Sequence, residues 1–119
     1  MVLQEVFLQN VKTFCSKQDV DAYKASFQDF NFDIIPTPNI IYYDGEVSEL
    51  EILTSLSNLF KSLQGTFILV VDDWNWTNKH VKTFLNLSQI KVHYQKEIFT
   101  SVEDPNDFWN GLGVFLLEK

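Results

Sequence analysis

The spacing of apolar positions changes period several times along the chain, and each change marks an element. Leu3, Phe7, Val11 and Phe14 recur at helical intervals, predicting an amphipathic helix over 3–14 that closes at Ser16-Lys17-Gln18. Val20 to Ser26 alternates imperfectly and predicts an edge-like strand. Residues 28–39 carry Asp29, Asn31, Asp33, Pro36 and Pro38, which is loop chemistry, and Pro38 holds Thr37 extended. Ile40-Ile41-Tyr42-Tyr43 then predicts a short strand ending in Asp44-Gly45-Glu46.

The following helix is the best signalled. Ser48 with Glu51 three residues on has capping-box spacing, and Val47 and Ile52 occupy the positions of a hydrophobic staple. Leu53, Leu56, Phe60 and Leu63 continue the stripe, and Gly65 is placed for a left-handed stop, predicting a helix over 49–64. It leads into Phe67-Ile68-Leu69-Val70-Val71. A run so short and so apolar predicts a strand buried on both faces, in a parallel sheet covered by helices. Strand, helix, strand in this order implies a right-handed βαβ unit.

Beyond Asp72-Asp73-Trp74-Asn75-Trp76, Thr77 is placed to cap a further helix with Val81, Phe84 and Leu85 on one face. Ile90, Val92 and Tyr94 alternate with Lys91, His93 and Gln95, predicting a half-exposed strand. Thr100 to Asn110 is acidic and turn-rich, and Leu112 to Leu117 predicts a last strand. With no helix between them, these two strands should pair antiparallel.

Composition narrows the class. The 119 residues suit one domain, and 45% hydrophobic with 15% aromatic content is globular. A formal charge of −7 with scattered basic residues argues against nucleic acid or membrane as partner, since phosphate-binding faces need clustered Lys and Arg. Cys15 stands alone, so no intrachain disulfide or Cys-based metal spacing exists, and Cys15 itself is expected to pack as a small residue. No basic leader with an apolar core opens the sequence and no run is long enough to span a bilayer, which together predict a cytoplasmic protein.

Candidate chemistry gathers at two strand ends. Open α/β sheets bind ligands outside the carboxyl ends of their strands. Asp44 and Asp72 would stand there side by side, with Glu46 and Asp73 adjacent. Crowded carboxylates repel unless a cation or raised pKa values relieve them. Mg²⁺ or Ca²⁺ is the expected occupant, with Asp44, Asp72 and Asp73 as ligands and Asn75 as a fourth oxygen. Asp73 and Asp44 could instead cap loops and helix starts and stay hydrated. Trp74, Asn75, Trp76 and Trp109 could wall a substrate pocket, or serve as core or as an oligomer contact. His80 and His93 have no nucleophile or metal partner nearby in sequence, so solvated or structural roles are expected.

Taken together, Tyr42-Tyr43-Asp44-Gly45-Glu46, Phe67 to Trp76 and Trp109-Asn110-Gly111-Leu112-Gly113-Val114-Phe115 resemble the C-terminal part of class I S-adenosylmethionine-dependent methyltransferases. The nearest likeness is to the small-molecule O-methyltransferase-like group, and the first helix, with Phe7, Asn10 and Phe14, extends it across nearly the whole chain. The resemblance implies Mg²⁺ at Asp44, Asp72 and Asp73. It also implies a truncated Rossmann-like α/β sheet, with about three parallel strands, a C-terminal antiparallel pair and flanking helices.

The glycine-rich loop that grips the cofactor in that family has no counterpart, because the four glycines are Gly45, Gly65, Gly111 and Gly113. The acidic residue that would hold the cofactor ribose is missing too. S-adenosylmethionine binding is therefore not expected of the isolated chain. The expectation is a binding or assembly module or half of a split methyltransferase, completed by a homodimer or by a separately encoded cofactor-binding half. The alternative is an active metal-dependent methyltransferase whose cofactor site is rebuilt by a dimer or partner.

Overall fold

The Phe67–Val71 run is the spine of the molecule. A computed structural model describes residues 3–101, 104, 106 and 110–119. In chain order these residues form α1 (Leu3–Phe14), a 3₁₀ turn (Phe32–Ile34), β1 (Ile40–Tyr43), α2 (Glu49–Phe60), β2 (Thr66–Asp72), α3 (Trp74–Ser88), β3 (Lys91–Ile98) and β4 (Leu112–Glu118). The strands make one open sheet in the order β1-β2-β4-β3. β1 and β2 run parallel, with Ile40 level with Ile68 and Tyr43 with Val71. β4 lies between β2 and β3 and is antiparallel to both, as expected of two strands with no helix between them. β3, however, is exposed on both faces instead of half-exposed, and a register shift between Val92 and Tyr94 breaks its alternation.

α2 and α3 supply the core. Ile52, Leu56, Leu59 and Phe60 of α2 and Trp74, Val81, Phe84 and Leu85 of α3 join Ile41, Tyr43, Phe67, Leu69, Val71, Phe115 and Leu117 in one buried cluster. Phe60 packs edge-on against Phe67 and Phe84, with ring centroids 5.4 and 4.9 Å away. The α2 start follows its signal: Ser48 Oγ accepts a hydrogen bond from the Glu51 N–H at 3.4 Å. Its end does not. The helix stops at Phe60, whose carbonyl accepts from Lys119 Nζ. Gly65, at φ 75°, instead opens β2 and exchanges two backbone hydrogen bonds with Lys119.

Three expectations need correction. The spine strand is buried on one face only: Phe67, Leu69 and Val71 are covered, whereas Ile68 and Val70 are half-buried on a face without a helix layer. The described residues contain a single parallel pair, because residues 20–26 form no strand beside β1. That segment's aromatic residues pack locally instead. The Tyr23 ring lies 5.0 Å from Phe30, Phe27 meets Tyr43 at 5.8 Å, and Asn58 Nδ2 donates to the carbonyls of Phe27 and Phe30, both at 2.8 Å. These ring contacts and the two satisfied carbonyls outweigh a weakly patterned edge strand. Finally, α3 begins at Trp74 rather than beyond Trp76, so the tryptophans belong to a helical turn and not to a loop.

α1 forms over the predicted residues but buries none of them. Leu3 is 88% and Phe14 80% exposed, and α1 shares no substantial packing with any other element. The Cα radius of gyration is 15.7 Å, against about 13.5 Å for a compact domain of this length. No helix of the described residues is long and apolar enough to cross a membrane.

Candidate functional site

At the carboxyl ends of β1 and β2 the parallel register carries Asp44 level with Asp72, on one edge of the sheet. Asp73 follows in the left-handed conformation (φ 54°, ψ 39°), which Asp tolerates better than most residues, and is the N-cap of α3. Its carbonyl accepts from the N–H groups of Trp76 and Thr77, each at 3.0 Å. Thr77, expected as the cap, lies inside the first turn. Its buried hydroxyl donates back to the carbonyls of Asp72 and Asp73 at 3.3 and 3.1 Å.

Asp72 and Asp73 already have internal partners. Tyr42 donates its hydroxyl to Asp72 Oδ2 at 2.7 Å, and the Asp73 N–H donates to Asp72 Oδ1 at 2.7 Å. Asn110 Nδ2 donates to Asp73 Oδ1 at 2.8 Å. The hydrogen bond to Asp72 is the main cause that pushes the Tyr42 phenol up to about 12, helped by burial and by the charges of Asp72, Asp44 and Asp73. Asp44 is raised above the ordinary carboxylate value, first by desolvation and then by Asp72 and Asp73. The carboxylates are thus close enough to repel, as their placement predicts. Yet no group of three or more His, Cys, Asp or Glu among the described residues is arranged to hold a metal ion. With both oxygens of Asp72 engaged and Asn75 Oδ1 accepting from the Thr100 N–H at 3.2 Å, the donor set does not fit a ready-made cation cradle.

The tryptophan signals resolve into a clasp between two distant segments. Trp74 is fully buried, donates from Nε1 to Glu97 Oε1 at 3.1 Å and packs edge-on against Phe115 at 5.3 Å. Glu97 is held in turn by Lys82 at 2.5 Å. A Cβ on Gly113 would stand 2.6 Å from the Trp74 ring, so only glycine lets the indole lie flat on β4. The α3 N-terminus docks on the next backbone stretch: the Asn75 N–H donates to the Asn110 carbonyl at 2.9 Å and the Trp74 N–H to that of Gly111 at 3.4 Å. Gly111, at φ 80°, could not carry a Cβ, which would meet the Ile98 carbonyl at 2.6 Å. Asn75 Nδ2 ties the same turn to Thr100 Oγ1 at 3.1 Å. Two of the free N–H groups at the helix start therefore find backbone carbonyls.

Of the residues predicted to wall a pocket, Trp74 is core and Asn75 is a strut. Trp76 is half exposed, and Trp109 lies outside the described residues. A cavity of about 840 Å³ lies elsewhere, lined by Leu53, Phe60, Phe84, Ile90, Lys91 and Lys119 near the opposite edge of the sheet. Asp44 borders a hollow of about 420 Å³ with Tyr43, Glu46, Glu51 and Ser55. Gly45 permits the Tyr43 ring to fold over that turn, since a Cβ there would lie 2.8 Å from the Tyr43 hydroxyl. His93 Nε2 is 3.3 Å from Glu118, at the surface. Tyr42, Glu97 and Thr100 were not foreseen. Tyr42 could have been found from the parallel register, whereas nothing in local sequence connects Glu97 or Thr100 to the first turn of α3.

The chain matches no protein-family model and no curated protein.

Proposed function

We propose that this chain is an assembly module built on a methyltransferase-like α/β sheet, and that it transfers no methyl group by itself. One observation carries the reading: a four-stranded sheet with helices on one face and a bare, largely apolar second face. Contiguous exposed apolar surface of this kind marks an interaction site. The free edge of β1 adds unpaired backbone groups, the place where a further parallel strand of a truncated Rossmann-like sheet would stand. Kinship with methyltransferases is supported by the parallel β1-α2-β2 unit, with its aspartates on the carboxyl edge, and by the antiparallel terminal pair. Against catalysis stand the missing glycine loop and an acidic rim whose carboxylates serve Tyr42, the Asp73 backbone and Asn110.

Titration calorimetry with S-adenosylmethionine tests the reading. The expected result is no saturable heat. Micromolar binding would overturn it in favour of an active enzyme whose cofactor site is completed by a dimer or partner. A parallel thermal-shift titration with Mg²⁺ and Ca²⁺ is expected to leave the wild type and Asp72→Asn equally unmoved. Stabilisation of the wild type alone would restore the metal ligands Asp44, Asp72 and Asp73.

A further inference from the structure

The bare sheet face can be written out from the register. Residues paired across neighbouring strands project to the same side. One row is Ile40, Ile68, Leu116 and Tyr94, and the next is Tyr42, Val70, Val114 and Lys96. Toward the acidic edge follow Leu112 and Ile98 beside Asp72. Ile40 is 64% and Tyr94 57% exposed at the flanks. The five central aliphatics are only half-buried.

The same chain carries a second unpartnered apolar surface. Leu3, Val6, Phe7, Val11 and Phe14 share one side of α1, and none is buried. The two surfaces match in size, because twelve helical residues span about 18 Å and seven strand residues about 23 Å. They also suit each other in charge. The chain carries −7 overall, which opposes self-association, but α1 holds one Glu and one Lys and is neutral.

We propose that the bare face docks a second copy of this chain, each protomer laying its α1 across the other's sheet. This deepens the assembly reading above and rests on it. A helix is about 10 Å wide and strands are about 4.8 Å apart, so one helix roofs two strands. On the covered face α2 and α3 seal residues of β1, β2 and β4, while β3 is exposed on both faces. An α1 folded back onto its own sheet would leave half of the apolar face in water. A second copy brings both a helix and a matching half-face. Sheet against sheet alone would bury about 800 Å² in total, from four strands 4.8 Å apart and about 20 Å long. That falls short of the roughly 1,200–2,000 Å² of a stable interface, and two exchanged helices make up the difference. The arrangement is two-fold, with each helix meeting the other chain's sheet.

Light scattering coupled to size exclusion, run from about 1 to 100 μM, tests this on the full chain. The wild type is expected at twice 13.9 kDa. Phe7→Glu and Val70→Glu are each expected to return it to one chain with unchanged far-UV circular dichroism. Phe7→Glu alters a helix that buries nothing, so it reports on assembly even where Val70→Glu fails to fold. A monomeric wild type overturns the proposal, and α1 amides protected from hydrogen exchange in that monomer would assign the face to the chain's own helix. A dimer that survives Phe7→Glu overturns the α1 exchange. A heavier species appearing only with another protein would hand the face to that partner. None of these results depends on S-adenosylmethionine, whose binding would overturn the non-catalytic half of the functional reading and leave the assembly half, on which this proposal rests, to be decided by the masses.

Discussion

The two faces of the sheet are made from alternate residues of the same four strands, yet they have opposite fates. On one, Leu69, Val71, Phe115 and Leu117 are sealed under α2 and α3; on the other, Ile68, Val70, Val114 and Leu116 are nearly as apolar and only half-buried, with no helix over them among the described residues. The difference lies in the connections. α2 and α3 directly link strands and must lie over the sheet, whereas α1 is joined to β1 by a connection outside the sheet and is free to go elsewhere. Hydrophobicity in a strand therefore states that a face wants cover, and only topology states whether the same molecule provides it.

The sharpest way to break this contrast is to compare truncations across it. Trp74→Ala on the covered side is expected to cost about 3–5 kcal/mol, read as a fall in the urea midpoint, because it empties the clasp and leaves Glu97 with Lys82 alone. Leu69→Ala should follow at about 2–5 kcal/mol. Val70→Ala, one position along, should cost under about 1 kcal/mol in the separated chain. A Val70→Ala as damaging as Leu69→Ala would mean the bare face is covered. Gly113→Ala, which forces a methyl into the Trp74 ring, should cost about 1–3 kcal/mol, and pairing it with Trp74→Ala should recover part of the loss.

Smaller effects sharpen the reading of the rim. Tyr42 titrates at about 12 instead of 10.0. A raised value means its contribution is fully present below pH 10 and is lost as pH climbs through about 12. Ultraviolet titration should show two late tyrosines, Tyr42 and the buried Tyr43, and Tyr42→Phe should remove one of them, with only a minor change in stability at neutral pH, since the Tyr42 ring is half exposed. Asp44→Asn removes a charge that Asp72 and Asp73 oppose, so the melting temperature at neutral pH should hold or rise slightly.

Much of this fold was legible because its signals are local. The Ser48 cap, the Leu56 and Phe60 stripe and the Ile40 and Phe67 runs need only neighbours in sequence to be read. The single-sided burial of Val70 was not, since an apolar run looks the same whether one face or two are covered. The clasp at the candidate site was hidden for a related reason. Asp73 and Trp74 look like an exposed tip until Asn110, Gly111 and Gly113 are brought beneath them, and that contact is made from far downstream. Chemistry was expected at residues that turn out to hold two segments together.

The placement of β4 between β2 and β3 also has a consequence in time. β2 can pair with β1 early, through a single intervening helix, but its other edge stays open until β3 has been passed and a distant segment returns to slot in. Such non-local closure slows folding and leaves a hydrophobic strand edge bare in the interval. The protein is expected to be most prone to aggregate while refolding, and chaperone demand, rather than final stability, should limit its yield.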